Sequence, residues 1–137
     1  MSKIKQVVHT LKAPAAIGPY SQAIRAGGFI FCSGQIPLTS QGELIAGGIK
    51  AQTMQALKNL QAVLEAAGSS LDNVVKTTVY LSDIQNFAEF NEVYGDFFKN
   101  EPLASRSGWP ARAVSESPHL PKKVLVEIDA VAVIVSE

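Results

Sequence analysis

Arg112 and Glu127 are the two residues of this chain best placed to do chemistry. Val124 to Val135 is an almost unbroken apolar run, and its only charges are Glu127 and Asp129. Side chains of a strand alternate between its faces. Val126, Ile128, Ala130, Ala132 and Ile134 therefore share one face, and Leu125, Glu127, Asp129, Val131 and Val133 the other. Two carboxylates among aliphatic neighbours are costly to ionise unless something compensates them. Arg112 is a candidate, either in a structural ion pair with Glu127 or Asp129 or as an anion-binding group beside an acid that moves protons.

Other reactive side chains lack a supporting pattern. His9 and His119 could in principle supply an acid and a base for RNA cleavage, but neither has metal-ligand spacing around it. Cys32, within Phe29-Ile30-Phe31-Cys32, reads as a small core hydrophobe. Ser33 is not in a Gly-x-Ser-x-Gly elbow. Gly27-Gly28 and Gly47-Gly48 are turns rather than phosphate cradles. Tyr20 follows Gly18-Pro19 and could simply cap a loop. Asn91 lies in an aromatic-rich helix, where a buried amide needs a partner.

The elements that must position these groups follow from periodicity. Ile4 to His9 reads as a strand, and Ala13 to Tyr20, with Pro14 and Pro19 near its two ends, as a non-helical loop. Ser21–Ala26 and Phe29–Ser33 form a hairpin about a glycine turn, with Ser33-Gly34-Gln35 closing its second strand. Pro37–Gly48 is loop. Ile49–Ala67 is a helix whose stripe is Met54, Leu57, Leu60, Leu64 and Ala67, with Gly68 just past its end. Val74–Leu81 is a strand. Asn86–Lys99 is a second helix, capped by Asn86, with the stripe Phe87, Phe90, Tyr94 and Phe97. Glu101–Trp109 is loop, Ala111–Val114 a short strand and Val124–Val135 the last one. The order is β-β-β-α-β-α-β-β, with two helices on one face of a mixed sheet. The other face, aliphatic and carrying the two acids, needs a cover, which points to an oligomer.

The chain of 137 residues reads as one domain, 1–137. It is 47% hydrophobic and 18% charged, apolar for its size. Twelve basic and twelve acidic residues cancel, which argues against nucleic-acid partners and a polybasic membrane patch. No apolar run is long enough to span a bilayer. The single cysteine fits a reducing compartment. Residues 1–10 lack both the apolar core of a secretory signal and the arginines of a mitochondrial presequence. A cytoplasmic location is expected, with a mitochondrial one left open.

The chain resembles the reactive intermediate/imine deaminases, the RidA or YjgF family. Matching stretches are Ala13 to Ser21, Ser33-Gly34-Gln35-Ile36-Pro37, Gln55 to Leu60, Val74 to Val79, Phe87 to Asn91, Pro110-Ala111-Arg112 and Val126-Glu127-Ile128. They run in order along nearly the whole chain. The resemblance implies a chorismate-mutase-like α+β fold and a homotrimer with pockets at its subunit interfaces. It implies hydrolysis of 2-imino acids, such as 2-iminopropanoate and 2-iminobutanoate, to 2-keto acids and ammonia, with no metal and no organic cofactor. Carried over by position, Arg112 would grip the substrate carboxylate and Glu127 would position or activate water. Tyr20, Ser33, Gly34 and Asn91 would line the pocket. The alternatives are an endoribonuclease or translation inhibitor, and a non-catalytic protein that binds carboxylate metabolites and regulates a partner. Two departures from the family pattern stand out. The loop before Pro110 is longer, with Arg106 as a rival arginine, and Val114 stands where many relatives have a cysteine.

Overall fold

The computed structural model describes residues 4–99 and 108–134. Among these, six strands, β1 (Gln6–Val8), β2 (Ala23–Ala26), β3 (Phe29–Gln35), β4 (Val74–Leu81), β5 (Ala111–Glu116) and β6 (Val126–Val133), form one sheet. Their spatial order is β1-β2-β3-β6-β4-β5. Neighbours are antiparallel except β4 and β5, which are parallel. A parallel pair needs a crossover, and helix α2 (Phe87–Lys99) supplies it. Helix α1 (Ile49–Ala66) connects β3 to β4, which also run the same way because both are antiparallel to β6. The last strand thus fills the centre of the sheet, and that is why its inward residues are apolar without exception.

The core lies on one side. Leu57, Leu60, Val63 and Leu64 of α1 and Phe90, Tyr94 and Phe98 of α2 pack on Ile30, Val79, Leu81, Val126, Ile128, Ala130 and Ala132. The opposite face of the sheet carries Phe29 and Phe31, 42% and 48% exposed, beside half-buried Glu127, Asp129, Val131 and Val133. The expected element order, the helix-covered face and the alternation along β6 are all present.

Details of the expected stripes differ. In α1 Met54 is only half-buried, whereas Gln52, Thr53 and Asn59 are buried. Their burial has a reason in two cases. The Asn59 amide donates to the carbonyls of Ile36 (3.0 Å) and Leu38 (2.9 Å), and Gln52 Oε1 accepts from the Leu125 N–H at 2.8 Å. α1 therefore clamps the segment after β3 and the entry to β6. In α2 the buried position is Phe98 rather than Phe97, and Phe87 is exposed. The helix begins at Phe87, because Ile84–Asn86 forms a 3-10 turn whose Asp83 carboxylate accepts from the Gln85 N–H. β1 and β6 are shorter than expected at both ends, and β5 runs two residues further.

α1 stops as its sequence dictates. Gly68 has φ +89°. The Gly68 and Ser69 N–H groups donate to the carbonyls of Glu65 and Leu64 at 3.2 and 2.9 Å, which is the Schellman pattern. The 3-10 turn Pro121–Lys123, which leads into β6, is less relaxed. Lys122 and Lys123 have φ of +56° and +57°, a region that disfavours side chains bearing a Cβ. Both lysines are exposed. Lys123→Gly is therefore expected to stabilise the fold by about 0.5–1 kcal/mol, the relief of left-handed strain less the extra entropy of glycine. A denaturant midpoint that falls instead would show that the turn is not strained.

Candidate functional site

Strand register decides where the charged groups point. Thr77 of β4 is paired with Arg112 on one side and Ala130 on the other, and both Thr77 and Ala130 are buried. Residues opposite one another in a sheet share a face. Arg112 therefore leaves the helix-covered face, at the β5 edge. Tyr80 is paired with Glu127 and Thr78 with Asp129, so both acids leave the open face. Arg112 and the two carboxylates are on opposite sides of the sheet, and the intrachain ion pair considered from sequence does not form. Among the described residues the only ion pair is Lys50–Glu92, which links the two helices at 2.9 Å. The rival Arg106 lies outside the described residues.

Arg112 is held by α2. Its Nη1 donates to Asn91 Oδ1 at 2.9 Å. Its guanidinium carbon lies 4.9 Å from the centre of the Tyr94 ring, 5.6 Å from Phe87 and 5.8 Å from Phe90, all within cation–π range. Asn91 thus has the partner that a polar residue on this helix requires. A cavity of about 330 Å³ opens beside the guanidinium, lined by Asn91, Tyr94, Gly95, Trp109, Pro110 and Arg112. The Trp109 indole N–H donates to the Gly95 carbonyl at 3.3 Å, which seats the ring on α2. Burial raises the Tyr94 pKa, against the smaller opposing effects of the Thr77 hydrogen bond and the Arg112 charge, so the phenol stays neutral.

Glu127 belongs to a second cavity, of about 290 Å³, lined by Ile17, Tyr20, Ser33, Gly34, Ile36, Pro121 and Glu127. Four of the six residues singled out from sequence meet here, and the other two, Arg112 and Asn91, meet in the first cavity. Gln22 fixes the loop that brings Tyr20 in. Its buried side chain accepts from the Thr10 N–H at 2.8 Å and donates to the carbonyls of Thr10 (3.1 Å) and Pro14 (2.9 Å). The Tyr20 hydroxyl accepts from the Ile17 N–H at 3.2 Å, which leaves its own proton to donate. Ser33 Oγ donates to the Ser21 carbonyl at 2.6 Å, which leaves its lone pairs to accept. Ser33 and Gly34 occupy the irregularity where β3 shifts register against β6 between Cys32 and Gln35.

Gly34 leaves room for the Glu127 carboxylate. A Cβ at this position would overlap Glu127 Oε2 and lie 2.9 Å from its Cδ. The obstacle is the end of a side chain, so the fold can absorb a methyl group by swinging Glu127 aside. Gly34→Ala is thus expected to leave stability within about 1 kcal/mol. If Glu127 acts in catalysis, the displacement should lower activity at least about tenfold, since misplacing a catalytic group by about 1 Å is costly. Equal activity in that variant would mean that the Glu127 position is immaterial.

The electrostatics of the open face favour protonation. Burial, then the neighbouring Asp129 charge, raises the Glu127 pKa above the usual carboxylate range. Burial also raises Asp129, with partial relief from hydrogen bonds to Thr78 and from Lys76. Cys32 is buried, and its thiol is pushed up to about 12, first by desolvation and then by Asp129, so it is not a nucleophile at neutral pH. His9 and His119 are exposed and line neither cavity. Among the described residues no cluster of three His, Cys, Asp or Glu side chains could hold a metal ion, and no helix is long and apolar enough to cross a membrane.

Sequence reasoning missed Ile17, Ile36 and Pro121 around Glu127, and gave Phe87, Phe90 and Tyr94 only a packing role. The signal for the latter was available: Asn91 lies four residues after Phe87 and three before Tyr94, so these polar and aromatic side chains share a helix face.

A six-stranded mixed sheet with two helices on one face is the architecture of a known class of protein. Residues 10–134 match the family described as Endoribonuclease L-PSP, and the chain belongs to that family, also called RidA/YjgF/RutC. It is 51% identical over 130 residues to a RutC family protein of Pyrococcus horikoshii, covering 94% of this chain and 98% of that one. Over 133 residues it is 47% identical to a human protein named 2-iminobutanoate/2-iminopropanoate deaminase, covering 96% of this chain and 92% of the human one. The crystal structure of E. coli TdcF with bound serine superposes with a TM-score of 0.86 at 39% identity, covering 93% of this chain and 98% of that one.

Proposed function

We propose that this protein is a hydrolytic deaminase that converts small 2-imino acids, such as 2-iminopropanoate and 2-iminobutanoate, to 2-keto acids and ammonia. The observation that carries this reading is the pair of half-sites: a guanidinium with no acid partner among the described residues, and a carboxylate of raised pKa beside hydroxyl groups and a glycine. The name of the human relative and the serine bound to TdcF support a substrate that is a small carboxylate.

A homotrimer follows from the same reading. Phe29, Phe31, Val131 and Val133 would be covered by sister chains, and Arg112 of one subunit would complete the cavity of the next. There the guanidinium takes the substrate carboxylate in a two-pronged contact. The Gly34 N–H, Ser33 and Tyr20 order the carboxylate and a water molecule. The substrate reacts as the protonated imine, and Glu127 accepts a proton from that water as its oxygen bonds to the imine carbon, which gives the neutral carbinolamine. The carbinolamine then takes the proton on nitrogen, the C–N bond breaks, ammonia leaves, and the remaining hydroxyl loses its proton to give the keto acid. A positioned general base is typically worth about 10²–10⁴-fold.

The test is a coupled assay. A pyridoxal-phosphate-dependent dehydratase releases 2-aminoacrylate, and pyruvate formation is followed with and without this protein. Acceleration is expected. Pyruvate binding without acceleration would make the protein a carboxylate-binding regulator. RNA cleavage that disappears on replacing His9 or His119 would make it a nuclease. A base must be ionised to act, so kcat/KM should rise with pH through the Glu127 titration, with that limb above the ordinary carboxylate value of about 4.3. Asp129→Asn should lower the limb only partly, because burial is the larger cause of the shift. A limb that survives in Glu127→Gln would assign it to another group.

A further inference from the structure

Arg112 is seated on aromatic faces, and one of those rings is fixed far more firmly than packing requires. Tyr94 is the nearest of the three, 4.9 Å from the guanidinium carbon, and is 3% exposed. Its ring is wedged between Phe90 and Phe98, with ring centres 5.3 and 4.8 Å away. Its hydroxyl is hydrogen-bonded to the Thr77 hydroxyl at 2.7 Å in the buried interior. Thr77 is also the residue that β4 pairs with Arg112. One threonine therefore sets both the backbone of Arg112 and the ring beneath its side chain.

We propose that Tyr94, tied through its hydroxyl to Thr77, is a positioning residue that fixes the plane of the Arg112 guanidinium for an incoming carboxylate. The assignment rests on the reading of Arg112 as the carboxylate-binding group. The Tyr94 ring, over which the guanidinium carbon lies, limits its tilt, and the Asn91 bond to Nη1 restrains its rotation. No acid among the described residues shares the charge, so the full charge stays available to a ligand. Of five N–H donors, Asn91 takes one. A carboxylate needs two of the others in one plane, and it rewards a guanidinium whose orientation is settled before binding. Phe87, 38% exposed, is the outer wall of the same seat, and Phe90 presses on Tyr94 from below.

The test separates orientation from packing. Tyr94→Phe keeps the ring and removes the tie, and Thr77→Val removes the tie from the other side with little change of volume. Each is expected to raise KM for 2-iminopropanoate and Kd for pyruvate by roughly 3–10-fold, the equivalent of one neutral hydrogen bond. kcat should stay within about twofold, because the effect acts on carboxylate binding rather than on the reacting carbon. The double variant should be no worse than either single one, because both break the same bond. Tyr94→Leu removes the ring face and should cost a further factor of roughly 3–30. In that variant the Arg112 Nε–H resonance should lose the upfield displacement that a neighbouring ring imposes. Unchanged KM and Kd in both tie variants, or a loss of kcat at constant KM, would overturn the assignment even if thermal stability fell. Arg112→Ala, run alongside, tells the two readings apart. Pyruvate binding that survives it would remove Arg112 as the carboxylate ligand and this proposal with it. Binding lost there but intact in both tie variants would remove the positioning role alone.

Discussion

Arg112→Lys is expected to lower kcat/KM for 2-iminopropanoate by about 10²–10³-fold, although the charge is retained. An ammonium on a flexible stem offers a point charge, whereas the guanidinium offers two parallel donors in one plane. Losing one charge-assisted hydrogen bond costs about 1.5–3 kcal/mol, and a poorly oriented imine carbon adds to that. The substitution also dismantles the seat, because lysine cannot lie flat on Tyr94 while reaching Asn91. The fold should survive. Had Arg112 been the buried partner of Glu127, truncation would cost about 3–5 kcal/mol. It is instead an exposed side chain on aromatic faces, where even Arg112→Ala should cost only about 1 kcal/mol. Activity within threefold of the parent in Arg112→Lys, on protein of unchanged assembly, would exclude Arg112 from substrate binding.

The sheet was legible because its signals are local. Alternation along Val126–Val133, the three-to-four-residue spacing of Leu57, Leu60 and Leu64, and the glycine turn at Gly27-Gly28 each follow from one stretch of chain. What was not legible depended on the partners of polar groups. Gln52 and Asn59 look like surface residues of an amphipathic helix, and they are buried because distant backbone at Ile36, Leu38 and Leu125 needs their amides. Phe98 rather than Phe97 turns inward, a choice of one residue that the aromatic spacing could not make.

Sequence could name the candidate residues but not their arrangement. Glu127 and Asp129 were placed on one face by the period of a strand, and that holds. Whether Arg112 shares their face depends on the register of β5 against β4, a parallel pairing across the whole of α2. A shift of one residue there would reverse the answer. The sequence also gives no local sign that Gly34 leaves room for a carboxylate, since the two are 93 residues apart and meet only across the β3–β6 ladder. That long-range pairing assembles the Glu127 cavity, whereas the Arg112 cavity forms where Trp109 and Arg112 settle on α2.

Opposite faces lead to the second large effect. If Arg112 of one subunit serves the partner subunit's Glu127, then Arg112→Lys and Glu127→Gln damage different halves of a shared site. Each variant alone should be nearly inactive. Unfolded, mixed in equal amounts and refolded together, they should regain activity. A site is intact when its arginine comes from the Glu127→Gln chain and its glutamate from the Arg112→Lys chain. Random assembly into a ring makes about one quarter of the sites intact. Activity should therefore peak near one quarter of the parent value at equal mixing and fall on either side. A site built within one chain predicts no recovery at any ratio, because every chain carries one damaged half. That outcome, with oligomers confirmed by sedimentation, would require β5 to reach the open face of its own sheet, which the pairing of Thr77 with both Arg112 and Ala130 forbids. Recovery would show that the sheet separates the anion-binding and proton-accepting groups, so that substrate hydrolysis exists only in the assembled protein.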